Sequence, residues 1–122
     1  MAKLILVVDD TPDLLEGLRE FLQMEGYEVV SATNGQEALD VLDAMPVDLI
    51  ITDLLMPVMD GFQLIRSVKQ RDDFRNTPII VFSAKPRHEN VETLLQIGAS
   101  KFVSKPSDLE NILLSVKELI HE

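Results

Sequence analysis

The chain has 122 residues, 46% of them hydrophobic, and no cysteine. That length favours one domain spanning 1–122 around a single core, and the missing cysteine excludes a disulfide framework and a thiolate metal site. A formal net charge of −10 disfavours direct binding to nucleic acid phosphates and suits a metal cation or a basic partner surface.

Apolar runs alternate with segments of helical period. Lys3 to Val8 reads as a first strand. Thr11 to Glu25 then carries Leu14, Leu15, Leu18, Phe21 and Leu22 on one stripe, with Gly26 as a stop. Glu28 to Ala32 is a second strand, and Asn34 caps a helix that turns Ala38, Leu39 and Leu42 inward. Asp48 to Thr52 is the third strand. The turn Met56-Pro57-Val58-Met59-Asp60-Gly61 follows, and Asp60 caps a helix with Phe62, Ile65 and Val68 inward.

Lys69 to Asp73 reads as a solvated helix end. Asn76-Thr77-Pro78 breaks to the fourth strand, Pro78 to Phe82. A helix over His88 to Ile97 places Val91, Leu94 and Leu95 at core spacing and stops at Gly98. Lys101 to Ser104 is the fifth strand, and Ser107 or Asp108 caps a last helix built on Leu109, Ile112, Leu113, Val116 and Ile120. Met24, Met45, Met56 and Met59 read as core or turn filler. Strands alternating with helices predict a parallel sheet covered on both faces. No apolar run approaches the roughly 18 residues needed to span a bilayer, and no signal peptide is visible, so no membrane contact is expected.

The strands end on chemistry. The first runs into Asp9-Asp10, the third into Asp53, the fourth into Ser83 and the fifth into Lys105. In an open parallel sheet, ligands bind beyond the carboxyl ends of the strands. Taken singly, Asp9-Asp10 could be a helix-capping pair and Ser83 a loop hydroxyl. Together they form a site. Three clustered carboxylates repel one another, a conflict relieved by protonating one or by binding a divalent cation. Hard oxygen ligands suit Mg2+, an ion typical of phosphate chemistry. A cation, an ammonium and a hydroxyl around one carboxylate are what a phosphoryl group on it would need, so Asp53 is the candidate nucleophile.

These motifs resemble, over nearly the whole chain, the receiver domain of two-component response regulators. They are Val7-Val8-Asp9-Asp10, Asp53 through Gly61, Ser83-Ala84 and Lys105-Pro106. The resemblance implies a flavodoxin-like (βα)5 α/β fold, doubly wound, with five strands in the order 2-1-3-4-5. It implies that Asp53 accepts a phosphoryl group from the phosphohistidine of a sensor histidine kinase or phosphotransfer domain in the cytoplasm. It further implies that Asp10, Asp53 and the Leu55 carbonyl ligate Mg2+, with Asp9 acting mainly through water. Lys105 and Ser83 would contact the phosphoryl oxygens, the Lys105-Pro106 bond would be cis, and Phe102 and Ser83 would form the switch. Output would pass to a downstream protein through the fourth helix, fifth strand and fifth helix. Such a chain is a switch that assists its own phosphorylation rather than a conventional enzyme.

Two departures stand out. Ser107 follows Pro106 where many receivers carry an aromatic, and Leu55 and Lys85 line the path of attacking water without an obvious water-orienting group. Competing readings fare less well. A haloacid-dehalogenase-type phosphatase needs a second Asp where Leu55 stands. A flavin carrier needs a phosphate loop where acidic Asp9-Asp10-Thr11-Pro12 lies. A receiver-like interaction module that works without phosphorylation remains the alternative. A stand-alone regulator and a receiver cut from a longer protein both fit the sequence.

Overall fold

The computed structural model describes residues 2–84, 88–105 and 109–120. Five strands, β1 (Leu4–Val8), β2 (Glu28–Ala32), β3 (Leu49–Thr52), β4 (Ile79–Ala84) and β5 (Lys101–Lys105), form one sheet in the order β2-β1-β3-β4-β5. Every pairing is parallel. Between them run α1 (Pro12–Met24), α2 (Gly35–Ala44), α3 (Gly61–Gln70) and α4 (His88–Ile97), and α5 (Leu109–Leu119) closes the chain. This is the expected doubly wound topology.

The strands are apolar on both faces because both faces are covered. Leu6, Val8, Ile50, Ile79 and Val81 pack with α2, α3 and Leu94 of α4. Their neighbours Ile5, Val7, Leu49, Ile51, Ile80 and Phe82 face Leu18 and Leu22 of α1 and Ile112 and Val116 of α5. Each such fully buried side chain contributes roughly 1.5–3 kcal/mol. None of the described helices is long and apolar enough to cross a membrane.

Local signals explain the helix ends. The Asn34 side chain accepts from the Glu37 amide at the start of α2. Asp60 and Gln63 form a reciprocal capping box on α3. Gly26, at φ 96°, ends α1, and the amides of Gly26 and Tyr27 turn back to the carbonyls of Gln23 and Leu22. That is the glycine stop expected from the sequence.

Four expectations need correction. Lys69 to Asp73 is not only a solvated end: Asp72 and Asp73 are exposed, but Lys69 is half-buried and bonds the Arg75 and Thr77 carbonyls, and Asp72–Phe74 forms a 3-10 turn that buries Phe74. Leu95 is 49% exposed, so α4 contacts the core through Leu94 and Ile97 while Val91 is half-buried. Met24 is 86% exposed and fills no core. Strands β4 and β5 run to Ala84 and Lys105, beyond Phe82 and Ser104. Lys85, the start of the Pro86–Ile97 segment, the Lys105-Pro106 bond and the Ser107 or Asp108 cap lie outside the described residues.

Candidate functional site

Register brings the chemical residues to one rim. Val8 pairs with both Ala32 and Thr52, so the chain leaves β1 and β3 side by side at Asp9 and Asp53. The Asp9 amide donates to the Ala32 carbonyl at 3.1 Å and the Asp53 amide to the Val8 carbonyl at 3.0 Å. Ser83 lies opposite Ser104, and Ala84 opposite Lys105, one strand and two strands away.

The Asp53 carboxylate is held on both oxygens. Oδ1 accepts from Ser83 Oγ at 2.8 Å and from the Leu54 amide at 2.7 Å. Oδ2 faces Lys105 Nζ at 3.2 Å. The same ammonium donates to Asp9 Oδ2 at 2.9 Å. The three side chains are largely buried, with exposures of 5% for Asp9, 12% for Asp53 and 20% for Lys105. Burial on its own would lower the Lys105 pKa, but hydrogen bonds and charge from Asp9 and Asp53 outweigh it and raise the pKa above the usual lysine value. The ammonium also lies 5.4 Å from the Phe82 ring centre, a favourable cation–π arrangement.

Asp9 does not cap α1 with its neighbour. The N-cap is Thr11, whose side chain makes no capping bond, and Asp9 Oδ1 instead accepts the Thr11 amide at 2.9 Å. Asp10 is exposed, yet carboxylate oxygens of Asp9, Asp10 and Asp53 lie within 4.8 Å of one another. Three carboxylates and one ammonium leave a charge of about −2, which one divalent cation would balance. The all-oxygen donor set fits Mg2+. Leu55, the further proposed ligand through its carbonyl, sits in the loop after Asp53 with its side chain in solvent, 78% exposed.

Phe102 pairs with Val81 in register and is half-buried against the α3 side of the core. It also lines a groove of about 450 Å3 between β5 and α5 with Val103, Asn111, Leu114 and Glu118. Sequence reasoning missed the Leu54 amide on Asp53 and the Thr11 amide on Asp9. Both are backbone donors that any residue could supply, so no side-chain signal marks them.

At the carboxyl rim of a doubly wound sheet, a carboxylate cluster, a serine and a lysine are thus brought to one place, a donor set suited to a divalent cation and an oxyanion. Residues 5–117 match the response regulator receiver domain, and the chain belongs to that family of two-component signalling proteins. It is 41% identical over 106 residues to the response regulator GtcR of Aneurinibacillus migulanus, covering 87% of this chain and 43% of that protein. It is 36% identical over 116 residues to the sensor histidine kinase TmoS of Ectopseudomonas mendocina, covering 95% of this chain and 12% of that one. The chain thus spans less than two thirds of these relatives. Among solved structures, the chemotaxis response regulator CheY4 of Vibrio cholerae superposes with a TM-score of 0.93 at 30% identity, covering 98% and 100% of the two chains. The response regulator TrrA of Thermotoga maritima, in complex with Mg(2+)-BeF, gives 0.86 at 33% identity, covering 97% and 99%.

Proposed function

We propose that this domain is a Mg2+-dependent signalling switch phosphorylated on Asp53. The observation that carries it is the Asp53 carboxylate itself, held between Ser83 Oγ and Lys105 Nζ beside two further carboxylates. The donor is the phosphohistidine of a sensor histidine kinase or a phosphotransfer domain, a class that relatives such as TmoS support. An oxygen of Asp53 attacks phosphorus, the phosphorus–nitrogen bond breaks, and the imidazole nitrogen keeps the electron pair and takes up a proton. Lys105 and Ser83 neutralise and orient the transferred oxygens, which is most of what phosphoryl transfer asks of a protein. Asp9, Asp10, Asp53 and the Leu55 carbonyl would hold Mg2+, which supplies charge neutralisation between acceptor and donor. The domain turns over its own phosphoryl group and no separate substrate, so it is a switch rather than a conventional enzyme, working in the cytoplasm.

Output follows from the same contacts. Ser83 Oγ follows the new phosphoryl oxygens, and Phe102, one strand away, turns into the space beside it. The face formed by α4, β5 and α5 changes shape there, and a downstream protein reads it. A phosphoryl group biases the two arrangements only by differential contact. Ser83→Ala should therefore accept phosphate but lose the beryllofluoride-induced amide shifts along β5; shifts equal to wild type would refute the coupling. For the central step, the wild type incubated with Mg2+ and acetyl phosphate should gain one phosphoryl mass. Asp53→Asn should gain none, and omission of Mg2+ should suppress labelling. Labelling of Asp53→Asn at the wild-type rate would overturn the assignment, and an unlabelled wild type would favour the phosphorylation-independent interaction module.

A further inference from the structure

The loop that carries Asp53 and Leu55 contains a strained turn. Val58 sits at φ 70°, the one non-glycine residue with positive φ among those described. The Met59 amide donates to the Pro57 carbonyl at 2.8 Å, closing a three-residue γ-turn around Val58. A γ-turn of this hand is rare and strained, and a β-branched side chain makes it worse. Val58 gains nothing locally in return, since it is 80% exposed. Such a conformation persists only where its surroundings over-determine it.

The surroundings are the N-terminus of α2. The Gly35 amide, one of the helix's donors without an intrahelical acceptor, donates to the Met59 carbonyl at 3.2 Å. Gly35 is buried, and the Met59 side chain lies directly on it. A Cβ built at Gly35 would meet Met59 Cγ at 2.7 Å and both its Cβ and its carbonyl oxygen at 2.9 Å. Beyond Gly35, Met59 packs against the core face that holds Ala38 and Leu39 of α2. On the far side, the Gly61 amide donates to the Leu54 carbonyl at 2.8 Å, and the Asp60–Gln63 box fixes the start of α3. The loop is therefore pinned at both ends, and one pin belongs to a helix that contributes no residue to the carboxylate cluster.

We infer that Gly35 and Met59 are positioning residues for the phosphoacceptor loop: their contact holds the strained Val58 turn shut and so fixes the backbone between Asp53 and Asp60. This rests on the assignment of Asp53 and the Leu55 carbonyl to the phosphoryl and cation site. Events on α2 then reach the site through the Gly35–Met59 contact, one backbone hydrogen bond and the Met59 side chain lying on Gly35. The backbone at Gly35 lies outside the left-handed region and alanine favours helices, so what an alanine there meets first is Met59, side chain and carbonyl alike.

The test is Gly35→Ala, with Met59→Ala as a second variant that strips the side-chain part of the pin without a clash. Hydrogen exchange of the Gly35, Met59 and Gly61 amides in metal-free protein reads the loop directly, and NMR titration with Mg2+ reads the site. Both variants should speed loop exchange and weaken Mg2+ binding by about 2- to 30-fold, the range for coupling through packed contacts. Amides within β1 and β3 should exchange as in wild type. Adding Val58→Gly to Gly35→Ala should restore Mg2+ affinity, because a glycine turn needs no pin to hold it. Met59→Leu should behave as wild type. Loop exchange and Mg2+ affinity unchanged in both Gly35→Ala and Met59→Ala would overturn the inference. Wild-type protein that binds no Mg2+ would instead undo the assignment of the site, while the exchange rates would still decide whether α2 pins the loop.

Discussion

Two lysines, each partly buried at an opposite rim of the sheet, meet different fates. At the carboxyl rim, Lys105 reaches Asp9 and Asp53, and their hydrogen bonds and charge outweigh burial to raise its pKa. At the amino rim, Lys69 donates to the carbonyls of Arg75 at 3.0 Å and Thr77 at 2.7 Å, with its stem against Gly98, and burial lowers its pKa. Neutral carbonyls satisfy an ammonium's donors without matching its charge. Lys69 is therefore a staple between α3, the chain before β4 and the turn after α4. Lys105 is half of a charge balance with the carboxylates of Asp9 and Asp53, the balance that the proposed cation and phosphoryl group would re-set. What distinguishes a site from a structural contact here is the formal charge of the partners, not burial or hydrogen bonding.

Removing each lysine should separate the two roles. Lys105→Met should slow phosphorylation by acetyl phosphate about 100-fold, the usual effect of deleting one preorganised charge contact. Lys69→Met should phosphorylate within about twofold of wild type, since positions so distant rarely share partners. Equal loss in both would erase the distinction.

Stability should part them next. Lys69→Met strips the charged donor from two carbonyls and should cost about 1–3 kcal/mol in urea unfolding, with or without Mg2+. Lys105→Met leaves three carboxylates unbalanced, so its loss should be recovered by Mg2+, which should stabilise this variant more than wild type. A Lys105→Met protein indifferent to Mg2+ would contradict the charge balance.

The smallest effect is on pH dependence. Lys105 has a raised pKa in the fold, so its contribution is complete below the ordinary lysine value of about 10.4 and is lost as pH climbs above it. Lys69 has a lowered pKa, so the fold binds fewer protons than the unfolded chain just below about 10.4, and its contribution grows as pH rises towards that value. The stability gap between wild type and Lys105→Met should shrink from about pH 9 to 11, and the gap to Lys69→Met should widen. Parallel curves would mean that the two ammonium groups share one environment.

The same contrast marks what the sequence revealed. The carboxyl rim was legible because parallel strands are short apolar runs, and Asp9, Asp10, Asp53, Ser83 and Lys105 stand where those runs stop. The order 2-1-3-4-5 came with the family resemblance to those motifs, not with the periodicity. Lys69 read as part of a solvated helix end because its partners are backbone carbonyls six and eight residues on, which leave no side-chain pattern. Phe74 stands alone between charged residues with no periodic partner to mark it, and only the 3-10 turn folds it inward. Leu95 fell on an apolar spacing and Met24 read as filler by residue type alone, but both are exposed. The Gly35–Met59 contact joins residues 24 apart, and neither one announces it.

The most direct test of the central claim is chemical mapping of the acceptor. Wild-type protein phosphorylated in the presence of Mg2+ should be reduced with borohydride, which converts an acyl phosphate to its alcohol, and then digested and sequenced by mass spectrometry. The modified residue should be found at position 53 alone, as homoserine, and should vanish when Mg2+ is omitted. Modification at Asp9, Asp10 or any other carboxylate, with position 53 intact, would contradict the assignment of Asp53 as the phosphoacceptor.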